Sequence, residues 1–235
     1  MTDERLCRTA ALLGEDAMRR LDAAHVLLLG LGGVGGHAFD ALLRSGIGAL
    51  TVVDFDTVCP SDMNRQLLAT RETLGMKKTA AAALHAARIT DRARLTVREE
   101  RLTPDGVAAL LDNARFDIIL DAIDDVPVKV ALAVAAKERG IALISCLGMG
   151  NRTDPTAIAV TDIAKTDTCP LARALRVRLR KAGVDHLPVV FSREPSRPSC
   201  DPAVRVASVA YVPSAAGLTL AAEAIRILCG ESIAP

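Results

Sequence analysis

The residues with the most chemical potential lie between Leu27 and Asp125. In "LLLGLGGVGGHAFDALLRSGIGALTVVD" (27–54) a hydrophobic run breaks into glycines, and a second hydrophobic run closes on Asp54. Gly30, Gly32 and Gly35 fit G-x-G-x-x-G, with Gly33 and Gly36 in addition. Without a Cβ the backbone can press against phosphate oxygens, and the helix that follows directs free N–H groups at them. A carboxylate about twenty residues on, at the end of the next strand, is placed to accept from both ribose hydroxyls. The same glycines would also serve a tight strand-to-helix turn that binds nothing.

Three further stretches decide what the loop is for. "DFDTVCPSDMNRQ" (54–66) carries Asp56, Asn64, Arg65 and Gln66; "GMKKTAAA" (75–82) opens a helix with Lys78; "DAIDD" (121–125) holds Asp121 and Asp124. An arginine, a lysine and several carboxylates at the ends of strands are what a triphosphate requires. Cations neutralise its oxygens and an acid holds a divalent metal such as Mg2+. A nicotinamide enzyme would need a catalytic His, Tyr or Lys arrangement downstream, whereas His25, His37, His85 and His186 stand in unrelated contexts. ATP is therefore the expected ligand. Each residue also has a plainer reading: Arg65 as a surface arginine, Lys78 beside Lys77 as a solvated helix start, Asp124 as a cap on the helix after Asp125.

These residues need a sheet whose strand ends converge. Strand-like runs are expected at His25–Gly30, Ala49–Asp54, Leu95–Glu99, Phe116–Asp121, Ile141–Cys146 and Ala157–Thr161. Helical patterns are expected at Gly33–Ser45, Met76–Ile89, Pro104 to about Asn113, between the strands that end at Asp121 and begin at Ile141, Pro170–Lys181 and Ser214–Leu228. The alternation predicts an α/β, doubly wound, Rossmann-like and mainly parallel sheet. Residues 1–235 read as one domain, with a helical amino-terminal arm (1–24), a substrate-side extension (151–212) and a closing helix (213–230). Arg193–Pro202 reads as a loop.

Composition narrows the class. With 29 basic and 28 acidic side chains, any nucleic-acid contact must come from a local patch. Four Phe, one Tyr and no Trp argue against aromatic platforms for bases. Six cysteines without a C-x-x-C pair argue against a four-thiolate zinc site and against a disulfide framework. The charged start MTDERLCRTA is unlike a signal peptide and no run is long enough to span a bilayer, so a cytoplasmic location is expected.

In this order and spacing, G-x-G-G-x-G, D-x-D, x-N-R-Q, G-x-x-K and D-x-x-D resemble the adenylating superfamily of ubiquitin-activating enzymes and bacterial sulfur-carrier adenylyltransferases. The resemblance runs from about Arg5 to the end, where "YVPSAAGLTLAAEAI" (211–225) is similar to the family's closing helix. It implies that Asp54 binds ribose, that Arg65 and Lys78 contact phosphates, and that Asp124 holds Mg2+. Gly30, Gly32, Gly33, Gly35, Asp56, Asn64, Gln66 and Asp121 would complete the nucleotide site. Arg8, in "RLCRT", matches an arginine that reaches into the partner subunit's site in family homodimers. One position departs: Asp62 stands where the family usually carries asparagine. A carboxylate facing phosphate repels it unless it binds metal or turns away.

The segment "TDPTAIAVTDIAKTDTCPLARALRVRLRKAG" (153–183) resembles the bacterial tRNA threonylcarbamoyladenosine dehydratases through D-P-T, T-D-I-A-K-T and P-L-A-x-x-L-R-x-x-L-R; "VVFSREP" (189–195) fits the same branch. That resemblance implies ATP-driven adenylation of the threonyl carboxylate of a modified tRNA adenosine, followed by ring closure. Arg173, Arg176 and Arg180 fall at i, i+3 and i+7 and would offer tRNA phosphates one helix face, although charge alone equally suits a solvated helix. Lys165 and Thr166 are candidates near the substrate carboxylate. Two other readings stay open. One is an adenylyltransferase for a ubiquitin-like sulfur carrier, with a sulfur-transfer protein partner; the absent zinc cysteines weaken it. The other is a nucleotide-binding protein without catalysis, to which only Asp62 points.

Overall fold

In the computed structural model, which describes residues 3–230, seven strands form one sheet in the order β3-β2-β1-β4-β5-β7-β6. The strands are β1 (His25–Leu29), β2 (Ala49–Val53), β3 (Arg94–Arg98), β4 (Ile118–Asp121), β5 (Ala142–Cys146), β6 (Ile158–Asp162) and β7 (Pro188–Ser192). All pair in parallel except β6, which runs antiparallel to β7 at the edge. The middle strands, "HVLLL" and "ALTVV", are mostly apolar, because a parallel strand with helices on both faces has no side to give to water.

The helices are α1 (Cys7–Leu13), α2 (Glu15–Ala23), α3 (Gly35–Arg44), α4 (Lys78–Ala87), α5 (Gly106–Asp112), α6 (Val126–Arg139), α7 (Pro170–Lys181) and α8 (Tyr211–Leu228). Alternate side chains of β1 point to opposite faces. Val26 and Leu28 join a core with α2, α3, α4 and α8, whereas Leu27 and Leu29 join a core with α5, α6 and α7. The chain therefore winds to both sides of the sheet. The order in which strands are added reverses between β1 and β4, and in such sheets ligands bind outside the carboxyl ends of the strands at that point.

The expected elements are present, with shifted ends and one addition. α3 begins at Gly35 rather than Gly33, since residues 31–34 form the turn of the glycine loop. α8 begins at Tyr211, two residues before Pro213, and a proline in a first turn removes only an N–H that has no helical partner. The strand not foreseen is β7. Its "PVVFS" is short and abuts the proline-rich loop, and it pairs with β5 through only Ser145–Val189 and Cys146–Val190. Residues 193–210 then run without regular structure back to the cavity described next.

Candidate functional site

A cavity of about 560 Å³ opens where β1, β2, β4 and β5 end. Its walls include Gly30, Gly32, Gly33, Asp54, Asp56, Arg65, Gln66, Lys78 and Asp124, so most of the residues singled out by spacing meet in one place. The glycines divide the work. Gly30 has φ +88°, and a Cβ there would lie 2.9 Å from the Ala122 carbonyl oxygen. A Cβ on Gly35 would meet the Gly30 carbonyl oxygen, so that residue lets α3 start against β1 and does not line the cavity. Gly32 faces open space.

Asp54 is buried at the end of β2. Its Oδ2 accepts the Leu31 N–H at 2.7 Å and its Oδ1 accepts the Asp56 N–H at 2.8 Å. A carboxylate has about four acceptor positions, so two remain for hydroxyls. Lys78, the first residue of α4, is buried with its Nζ 3.0 Å from Asp56 Oδ2, which gives that ammonium one carboxylate partner. Arg65 donates through Nη1 to Ser61 O at 2.7 Å and to Asn64 Oδ1 at 2.8 Å, leaving other N–H groups of its fork uncommitted.

Asp62 resolves the departure noted in the sequence. Its carboxylate accepts the Cys59 N–H at 3.0 Å and the Gln66 side-chain amide at 2.6 Å, and Arg65 Nη2 lies 3.7 Å away. Although Asp62 lines the cavity, its oxygens are turned into this local network and Gln66 is tied up with them. Asn64 does not line the cavity. Its Nδ2 donates to the Ser208 carbonyl at 2.9 Å, which ties the arginine loop to the 193–210 segment.

The two aspartates after β4 have opposite surroundings. Asp121 is sealed: its Oδ2 accepts from Lys129 Nζ at 2.8 Å and from Ser145 Oγ at 2.6 Å, and Lys129 is fully buried and also donates to Cys146 O at 2.9 Å. Asp121 therefore lies beneath the cavity rather than on its wall, and its place among nucleotide ligands is corrected. The buried pair ties the ends of β4 and β5 to α6. Asp124 is exposed on the cavity wall, with no hydrogen-bond or ion-pair partner among the described residues. The capping role belongs to its neighbour: Asp125 accepts the Val128 N–H at 2.9 Å. One free carboxylate beside a phosphate-sized space suits Mg2+, which takes one or two carboxylates and completes its shell with phosphate oxygens and water. Among the described residues there is no group of three or more His, Cys, Asp or Glu side chains that could hold a metal alone.

Other candidates lie elsewhere. Arg8 is exposed on α1, outside the cavity. Arg173 and Arg180 are exposed on α7, but Arg176 turns inward and donates through Nη1 to Thr166 Oγ1 at 2.7 Å and Thr166 O at 2.8 Å. Arg176 is thus a half-buried brace on the buried Thr166, although it still lines a surface groove with Arg173, Arg178 and Lys181. Lys165 is exposed and neither it nor Thr166 lines the cavity. The histidines are engaged locally: His25 against Thr51, His37 between Gly33 and Ser214, His85 on Asp40, His186 near Asp162. Cys146 lines the cavity floor, yet burial pushes its thiol up to about 12, the wrong direction for a nucleophile.

Sequence reasoning missed three residues here. Phe55 and Arg101 line the wall beside Asp54, and Lys129 underpins it. Lys129 had a signal: it is the one cation in "VPVKVALAVAA", an otherwise apolar stretch that a buried helix would adopt. Arg101 had none, because it sits in "REERL", a charged run with no motif.

Residues 5–235 match the ThiF family. The chain is 40% identical over 202 residues to the tRNA threonylcarbamoyladenosine dehydratase of Escherichia coli K12, covering 81% of this chain and 74% of that protein. It is similar to the crystal structure of the E. coli tRNA N6-threonylcarbamoyladenosine dehydratase in complex with ATP, with a TM-score of 0.89 and 35% identity over 96% of this chain and 93% of that one. The molybdopterin-synthase adenylyltransferase of Salmonella typhimurium is 36% identical over 132 residues, which is 56% of this chain and 51% of that protein.

Proposed function

The chain belongs to the ThiF family, and on that premise we propose that it is an ATP-dependent enzyme that dehydrates threonylcarbamoyladenosine in tRNA. The observation that carries the reading is the meeting of Asp54, Arg65, Lys78 and the uncommitted Asp124 around one cavity at the mouth of the sheet. Asp54 takes the ribose hydroxyls of ATP, and Arg65 and Lys78 neutralise its phosphates. Asp124 holds Mg2+, which when bound draws charge from the phosphate oxygens.

A carboxylate becomes an electrophile only when one of its oxygens becomes a good leaving group. The threonyl carboxylate oxygen attacks the α-phosphorus, the bond from that phosphorus to pyrophosphate breaks, and an acyl adenylate forms. A nucleophile within the same side chain then attacks the acyl carbon, and AMP departs with the former carboxylate oxygen. The ring closes with net loss of one water. Such an intramolecular attack needs orientation more than an enzymic nucleophile, since well-placed intramolecular reactions reach effective molarities of about 10⁵–10⁸ M. The buried, protonated Cys146 agrees with a route that uses no thioester.

The exposed Arg173 and Arg180 receive tRNA phosphates. The protein works as a homodimer in the cytoplasm. α1 supports the dimer, for none of its residues is buried and Leu12 is 84% exposed one turn from Arg8, which would reach the partner's cavity. No helix among the described residues is long and apolar enough to cross a membrane. Activation of a ubiquitin-like sulfur carrier, with a sulfur-transfer partner, is the less favoured alternative, because similarity to an adenylyltransferase covers a smaller share of the chain.

The test is a mass measurement. Purified protein with ATP, Mg2+ and tRNA bearing the open nucleoside should release AMP and pyrophosphate and yield a nucleoside lighter by one water. An unchanged nucleoside mass overturns the proposal. ATP–pyrophosphate exchange that requires a Gly-Gly-ended carrier and ignores tRNA would install the alternative.

A further inference from the structure

Beyond Asp54 the cavity wall changes character. Phe55 follows the ribose-facing acid directly and keeps 39% of its surface exposed, unusual expense for one of only four phenylalanines. The Asp54 N–H donates to Arg98 O at 3.2 Å, so the segment after β3 runs alongside Asp54 and Phe55. That segment ends on Arg101, whose guanidinium carbon lies 4.1 Å from the Phe55 ring centre. Val53, Leu102 and Ile123 add an apolar lining near this pair. The neighbouring charges are matched, Lys77 with Glu99 at 3.0 Å and Arg98 with Glu100 at 2.7 Å, but Arg101 has no hydrogen-bond or ion-pair partner among the described residues.

We infer that Arg101, held over the Phe55 ring, is the platform on which the base of the bound nucleotide stacks, and that it favours purine over pyrimidine triphosphates. A guanidinium is planar and weakly hydrated. One face can rest on an aromatic ring while the other receives a base. A chain with few aromatics thus obtains a stacking surface from one ring and one cation. A purine, with the larger π surface, gains more from it than a pyrimidine. The inference rests on the ATP-binding reading and adds its base-recognition element.

Two ligands separate stacking from simple charge. Binding of ATP and of ribose 5-triphosphate, which lacks a base, is measured by calorimetry on the intact protein. The variants are Arg101→Ala, Arg101→Lys and Phe55→Leu. Base stacking contributes about 1–3 kcal/mol per base, so Arg101→Ala should weaken ATP roughly 5- to 150-fold and leave ribose 5-triphosphate nearly unchanged. Arg101→Lys keeps the charge and loses the plane, and should behave like the alanine variant. Phe55→Leu should cost ATP affinity by itself but little more when Arg101 is already alanine. CTP should bind the wild type more weakly than ATP, and the gap should narrow in Arg101→Ala. Equal losses for both ligands, or rescue by lysine, would make Arg101 a phosphate-steering charge and overturn the inference. Unaltered ATP binding in Arg101→Ala would make it a solvated side chain, with the same result. Wild-type protein that binds neither ligand overturns the adenylation reading itself, and the base platform with it.

Discussion

On the β1–β2 side of the sheet, Lys78 and Arg65 reach the cavity wall with only local partners, and Asp124 arrives with none. On the β6–β7 side, Arg176 gives one nitrogen to three acceptors of its own surroundings, namely Thr166 Oγ1, Thr166 O and Ile163 O. Both regions are rich in cations, and helix spacing treats them alike. What differs is where the backbone ends. Arg65 and Asp124, in the loops that follow β2 and β4, keep donors or acceptors that no protein group among the described residues takes, whereas Asp121, on the strand itself, is covered by Lys129 and Ser145. An arginine in the middle of a helix packed on the sheet edge finds carbonyls within reach and becomes structure. Lys129 is the limiting case: fully buried, with three acceptors and no access to the cavity.

The contrast is broken most forcefully at Lys129. Removing one member of a buried ion pair strands the other charge and costs about 3–5 kcal/mol. Lys129→Met should lower unfolding free energy by that amount in urea titration, and adding Asp121→Asn should restore a good part by removing the stranded carboxylate. A loss under about 1 kcal/mol would mean that the pair is not a structural brace.

Next in size are the residues on the open side. Arg65→Ala and Asp124→Ala should each reduce pyrophosphate release by about 10²–10³, as expected when a preorganised electrostatic contact is lost. Their urea midpoints should stay near wild type, since neither side chain is buried. Turnover kept by Asp124→Ala would move the metal to another ligand and remove the main difference drawn here between Asp124 and Asp121.

Much of this half of the molecule is legible in sequence for a physical reason. Strand ends and tight turns demand particular residue types at fixed spacings, so "GLGGVGG", Asp54 and "MNRQ" reveal the elements, and most of their residues do meet at one cavity. Hydrogen-bond partners are not encoded that way. Asp121 and Asp124 look equivalent in "DAIDD", and only the approach of Lys129 and Ser145 from two other elements separates them. Asn64 belongs to a motif pointing at phosphate, yet it holds Ser208, 144 residues further on. β7 was hidden because "PVVFS" starts on a proline and abuts the proline-rich loop, so its apolar run reads as part of irregular chain.

The far side offers a finer test. Arg173 and Arg180 are exposed, whereas Arg176 is braced, so the three should separate in a salt titration of tRNA binding. Each phosphate contact contributes about 0.7–0.9 to the slope of log affinity against log salt. Arg173→Ala with Arg180→Ala should flatten that slope by about 1.5 and weaken binding modestly. Arg176→Ala should lower thermal stability and leave the slope alone. Equal slopes for both variants would return Arg176 to the open face.

The smallest effect is expected at Cys146, and there the two regions meet. The residue ends β5, lines the cavity floor beside the 147–150 loop, and is the thiol best placed to imitate a thioester-forming cysteine. Burial lifts its pKa from 9.0 to about 12, and the nearby Lys129 ammonium only partly offsets this. A raised thiol pKa keeps the proton on sulfur through the neutral and mildly alkaline range, so the nucleophilic thiolate is scarce there. Cys146→Ala should therefore leave turnover almost unchanged, and its pH profile should show no limb assignable to a thiol. Iodoacetamide at pH 8 should label the exposed Cys7, Cys59 and Cys200 while Cys146 stays protected until denaturant is added. Rapid labelling of Cys146 in the folded protein, or a collapse of turnover in a folded Cys146→Ala variant, would restore a covalent route and make the cavity floor reactive rather than inert.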